Sequence, residues 1–160
     1  MRFRNIFDEL QKQFKSKGYD ITPNDFTQDV NEYYARARNR HRYYGFGFNV
    51  YTSSNTGRKV QFYIELENSY YYGFGYDDKP ATDENIISIV SQISNSFSSN
   101  EHWAGWKWSD RFILDFWNLN SDGFESLKNP RKREAYIKGI VDEMDMYIKK
   151  FQQLAKERNL

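Results

Sequence analysis

The sequence predicts an α+β fold: an antiparallel sheet of three to four strands packed by amphipathic helices. Apolar residues recur at helical spacing near both ends of the chain, and between them three short runs alternate in polarity with only a few residues separating them. At 160 residues the chain can bury a core without disulfide or metal staples. No stretch has the composition of a linker, so residues 1–160 read as one domain.

Each element follows in order. Phe3, Ile6, Phe7, Leu10 and Phe14 fall on one face of a first helix, which Gly18 stops. After Thr22-Pro23, a second helical stretch carries Phe26, Val30, Tyr33, Tyr34 and Ala37, and it ends in a basic run. Three strands follow, at residues 43–51, 59–67 and 70–77, and Pro80 closes the meander. Asp83 then begins a helix with Ile86, Val90, Ile93 and Phe97 on one stripe. The stretch NSFSSNEHWAGWKWSDRF reads as a loop, and RFILDFWNL as a further short strand. Past Pro130, Ile137, Ile140, Val141, Met144, Ile148 and Phe151 form the stripe of a long closing helix.

The pentapeptide YYGFG occurs twice, at residues 43–47 and 71–75, in the first and third strands. Val60, Phe62, Ile64 and Leu66 share one face of the middle strand; Gln61, Tyr63, Glu65 and Glu67 share the other. Matching apolar faces pairs Phe48 with Phe62 and Phe46 with Ile64, then Ile64 with Tyr72 and Phe62 with Phe74. This register leaves Glu67-Asn68-Ser69 as the second connection. It also places Gly47 and Gly73 on either side of Tyr63, with Gly45 beside Glu65 and Gly75 beside Gln61. The outer face is therefore thin in side chains, with Tyr43, Tyr63 and Tyr71 as its flat groups. Tyr63 lying across the glycines, or a helix packed closely on them, would account for the pattern structurally. A contact platform for a base, a peptide or a protein would account for it functionally.

Composition narrows the chemistry. There is no cysteine, which excludes disulfides and thiolate metal sites. His41 and His102 lack ligand spacing, so no metal or cofactor is expected. The net charge of +1 confines any nucleic-acid affinity to local patches. No apolar run approaches membrane-spanning length, and the amphipathic N-terminus is unlike a secretory signal, so a cytoplasmic location is expected. Aromatic residues make up 19% of the chain, so large flat side chains must fill much of the core and line some of the surface. No phosphate-binding glycine loop, serine elbow or histidine-centred triad is present.

Two constellations remain. Arg36, Arg38, Arg40, His41 and Arg42 run directly into the first strand and suit phosphate contacts, or else complement a helix C-terminus. Lys128, Arg131, Lys132 and Arg133 lie near a helix start, where the dipole disfavours cations, and suit an acidic partner. A reduced magnesium-dependent nuclease would draw on Glu65, Asp77 and Lys79.

The segments VQFYIELENSYYYGFGYDD, NEHWAGWKWSDRF, DFWNL and the terminal amphipathic helix resemble the C-terminal region of bacterial PD-(D/E)XK-superfamily nucleases found near phage-defence and restriction genes. Tyr71, Tyr72, Gly73, Phe74, Trp103, Trp106 and Trp108 carry the likeness, which spans residues 43–154. It implies an accessory fold and no catalytic residue, because the family's catalytic strand motif has no counterpart here. The expectation is a non-catalytic recognition module of a bacterial or phage nuclease or defence system. It would bind nucleic acid or a partner protein through Arg36, Arg40, Arg42, Tyr43, Tyr63, Tyr71 and Trp106. The alternatives are the reduced nuclease and an inhibitor or assembly subunit anchored by its tryptophan-rich loop.

Overall fold

The computed structural model describes residues 3–22, 44–66, 69–77, 82–109, 112, 114 and 126–160. Helix α1 spans Phe3–Ser16. Strands β1 (Tyr44–Thr52), β2 (Lys59–Leu66) and β3 (Tyr70–Tyr76) follow. Next come α2 (Glu84–Ile93), β4 (Trp103–Trp108) and the long α3 (Pro130–Glu157). The four strands form one antiparallel sheet in the order β1-β2-β3-β4. This is the expected α+β class. The second helical stretch and nearly all of RFILDFWNL lie outside the described residues.

The helix ends follow local chemistry. Asp83 accepts from the backbone N–H groups of Asn85 and Ile86, and Asn129 accepts from those of Arg131 and Lys132 with Pro130 in the first turn. Gly18 ends α1 at φ +97°, a conformation that costs other residues strain. Phe97, assigned to the stripe of α2 from its spacing, lies beyond that helix, yet it packs on Phe74 and Tyr147 in the core.

The three described helices lie against one side of the sheet. Helices α1 and α2 pack on α3, α2 also meets β4, and α3 reaches β1. The core joins Ile6, Phe7, Leu10 and Phe14 of α1 and Ile140, Val141, Met144, Ile148 and Phe151 of α3 to the inward residues of every strand. Rings fill much of it. Phe74 stacks on Phe151 at 4.8 Å, Phe14 lies 5.0 Å from Phe48, and Phe62 meets Phe74 edge-on at 5.3 Å.

The register between the first three strands is the one that core matching requires. Phe48 faces Phe62, Phe46 faces Ile64, and Ile64 and Phe62 face Tyr72 and Phe74. A bulge at Val50 turns Tyr51 inward, where its ring meets Phe151 and its hydroxyl donates to the Leu160 carbonyl (2.8 Å).

The loop assignment for residues 95–112 needs correction, because Trp103–Trp108 is the fourth strand. The register shifts between Phe74 and Gly75, leaving Ala104 as the extra residue. That bulge puts Trp103 and Trp106, three positions apart, on one face and hides the alternation a strand would display. Ser98 pairs with Trp106 on the far edge of β4.

One buried polar group also went unforeseen. Glu143 sits on the core side of α3, where it accepts from the Tyr72 hydroxyl (3.1 Å) and the Ser109 hydroxyl (2.9 Å). Its position between Val141 and Met144 in the apolar stripe is the sequence signal. Among the described residues, no helix is long and apolar enough to cross a membrane.

Candidate binding face of the sheet

The face turned away from the helices is assembled in three rows across the strands. The first holds Gly45, Glu65, Tyr71 and Trp108; the second, Gly47, Tyr63, Gly73 and Trp106; the third, Asn49, Gln61, Gly75 and Trp103. The glycines of the doubled pentapeptide thus point outward, as the register requires. Gly47 and Gly73 flank Tyr63, while Gly45 and Gly75 flank Glu65 and Gln61.

Tyr63 uses the space they leave. A Cβ on Gly47 would lie 2.3 Å from Tyr63 Cδ1, and one on Gly75 would lie 2.8 Å from Cε2. The two edges of the ring therefore rest over β1 and β3, and the Tyr63 hydroxyl donates to Gln61 Oε1 (2.8 Å). This is the cross-strand cover anticipated for glycine-rich strands. Gly73 serves a different need. A Cβ there would stand 2.0 Å from the Gly105 carbonyl oxygen and 2.6 Å from Trp106 Cα, so β3 and β4 approach too closely for any side chain.

The face is more aromatic than the sequence alone conveys. Trp103 stands at 75° to the Tyr63 ring, 5.6 Å away. Tyr71 is the hub, edge-on to Trp108 at 5.1 Å, Trp103 at 5.9 Å and Trp106 at 6.0 Å. It is 6% exposed, whereas Trp108 is 41% exposed. Tyr63, Trp103 and Trp106 are half-buried. Among the described residues, the ring contacts of Trp103, Trp106, Trp108 and Tyr63 stay within this cluster.

Glu65 brings a carboxyl group among these rings. Its Oε2 accepts from the Tyr71 hydroxyl (2.8 Å), while Oε1 has no hydrogen-bond partner among the described residues, and the side chain is half-buried. Burial pushes the Glu65 carboxyl above its usual range, and the Tyr71 hydrogen bond pulls it partly back. Burial also raises Tyr63, with Glu65 and then Asp77 adding to the effect.

Of the expected site residues, Tyr63, Tyr71 and Trp106 meet on this face. Arg36, Arg40, Arg42 and Tyr43 lie outside the described residues. Trp103 and Trp108 were missed as site residues because the Ala104 bulge concealed their strand.

The register sets apart two of the residues named for the nuclease alternative. Glu65 lies near the 67–69 connection, whereas Asp77 follows the opposite end of β3. Five residues of strand separate the level of Glu65 from the end of β3 at Tyr76, about 17 Å, so the register does not place Glu65 and Asp77 on one metal ion. Lys79 lies outside the described residues. Among the described residues, no group of three or more His, Asp or Glu side chains could hold a metal.

In comparisons with known proteins, no family model, curated protein or solved structure matches the chain.

Proposed function

We propose that the chain is a non-catalytic recognition module of the cytoplasm that holds a protein partner against the outer face of its sheet. The gathering of Tyr63, Tyr71, Trp103, Trp106 and Trp108 on the side opposite the helices carries this reading. Trp and Tyr are the commonest anchors of protein interfaces, and they work best where neighbouring rings exclude water. Here the edge-on contacts fix each ring before a partner arrives, so little side-chain freedom is lost on docking.

The choice of a protein over a nucleic acid follows from charge. The carboxylate among the rings, Glu65, would repel phosphates. The expectation of nucleic-acid binding drew on Arg36, Arg40 and Arg42, which lie outside the described residues. The link to a bacterial or phage nuclease or defence system comes from the sequence resemblance. Tyr71, Gly73, Trp103, Trp106 and Trp108 belong both to that resemblance and to this face.

The test compares wild type with Trp106→Ala and Trp108→Ala. Both variants should keep the far-ultraviolet circular dichroism of the native fold and lose a partner that co-purifies from the native host. Capture undiminished in both would refute the reading. Binding of single-stranded DNA or RNA that weakens steeply with salt, and is lost in the same variants, would assign the face to nucleic acid.

A further inference from the structure

We infer that the partner presents a cationic side chain, a guanidinium or an ammonium, to the tryptophans of this face beside the Glu65 carboxylate. The inference rests on the recognition reading above and specifies the partner's chemistry: a basic segment of protein.

Three observations converge on a cation. First, Tyr63 rests over Gly47 and Gly75 while Trp103 stands at 75° beside it, which makes a corner of a floor and a wall, both aromatic. The faces of such rings carry negative potential and attract a cation within about 6 Å of the centroid. Second, Tyr71 takes up one oxygen of the half-buried Glu65 and leaves Oε1 without a hydrogen-bond partner among the described residues. A carboxylate set among rings and short of one hydrogen bond favours a charged donor, which can bond Oε1 and lie on an indole together. Third, no described lysine or arginine forms an ion pair with Glu65. Lys59 on the same face belongs to the far end of β2, about 20 Å away along the strand.

The experiment follows the indole N–H resonances of Trp103, Trp106 and Trp108 while the protein is titrated with the peptide Gly-Arg-Gly-Arg-Gly. A counterpart with citrulline in place of arginine has nearly the same shape without the charge. The arginine peptide should shift these resonances and bind about tenfold more tightly than the citrulline peptide. Glu65→Gln should erase most of that difference, because the glutamine carbonyl can still accept from Tyr71 while the charge is gone. Equal binding of the two peptides to wild type would overturn the inference, as would no response at the indoles. Indole shifts with an oligothymidylate in place of the arginine peptide would overturn it as well. The recognition reading is judged separately, by capture of the host partner with Trp108→Ala, so one can fail without the other.

Discussion

Gly73→Ala probes the contact on which the aromatic face is built. An alanine Cβ at this position would sit 2.0 Å from the Gly105 carbonyl oxygen, 2.6 Å from Trp106 Cα and 2.9 Å from the Gly105 carbonyl carbon. All three are backbone atoms of β4, so no rotamer change relieves the clash. The strands must part by about 1 Å or more, which takes their hydrogen bonds beyond the normal range. Overpacking of this kind costs about 1–3 kcal/mol, and each weakened ladder bond adds about 1 kcal/mol, so a loss near 3 kcal/mol is expected. Gly47→Ala is the internal comparison. Its Cβ meets the Tyr63 ring, which can swing away, so about 1 kcal/mol should go, together with the cover over Gly75. Urea denaturation of the three proteins measures both losses as midpoint shifts at constant slope. Near-ultraviolet circular dichroism should change more for Gly73→Ala, since Trp106 moves with its strand. A cost below about 0.5 kcal/mol at Gly73, no larger than at Gly47, would refute the register and close approach of β3 and β4.

Glu65 gives a pH signature whose sign follows from its raised carboxyl. The native state holds that proton more tightly than the unfolded chain, so its contribution to stability falls as pH climbs from the ordinary carboxylate range through the raised value. Urea midpoints across this window should fall in wild type relative to Glu65→Gln, and a relative rise would contradict the assignment. Tyr72→Phe removes one of the two donors to the buried Glu143 carboxylate and should cost about 1.5–3 kcal/mol, read from the same denaturation experiment. A cost near zero would show that this hydrogen bond is not made. Asp83→Ala leaves the N–H groups of Asn85 and Ile86 without their cap and should cost about 1 kcal/mol, with the loss of protection from hydrogen exchange concentrated in α2.

The strands were legible where alternation was uninterrupted. Val60, Phe62, Ile64 and Leu66 admit one inward face, and that face dictated the pairing of β2 on both sides. The outward glycines followed from the same parity. Helix starts were legible at Asp83 and Pro130 because capping and the proline restraint act within a few residues of sequence. Strand β4 was not legible. A bulge adds one residue, reverses the parity of everything before it, and turns Trp103-Ala104-Gly105-Trp106 into an irregular string. Its setting is tertiary: next to the extra residue, Gly105 lies where a Cβ would strike Val90 and Phe97, a fit that only the folded chain defines. In the sequence the tryptophans therefore read as loop residues, although they complete the face that Tyr63 and Tyr71 begin. Glu143 escaped notice for a related reason, since a carboxylate in an apolar stripe is tolerated only when donors such as Tyr72 and Ser109 converge on it from distant segments.

Hydroxyl-radical footprinting of the protein, free and bound to its captured partner, tests the docking face most directly. Trp108 on the sheet and Met146 on α3, 41% and 45% exposed, are reactive reporters on opposite sides of the fold. Binding should protect Trp103, Trp106 and Trp108 and leave the oxidation of Met146 unchanged. Protection of Met146 with the three tryptophans still fully reactive would move the contact to the helices and contradict a recognition role for the aromatic sheet face.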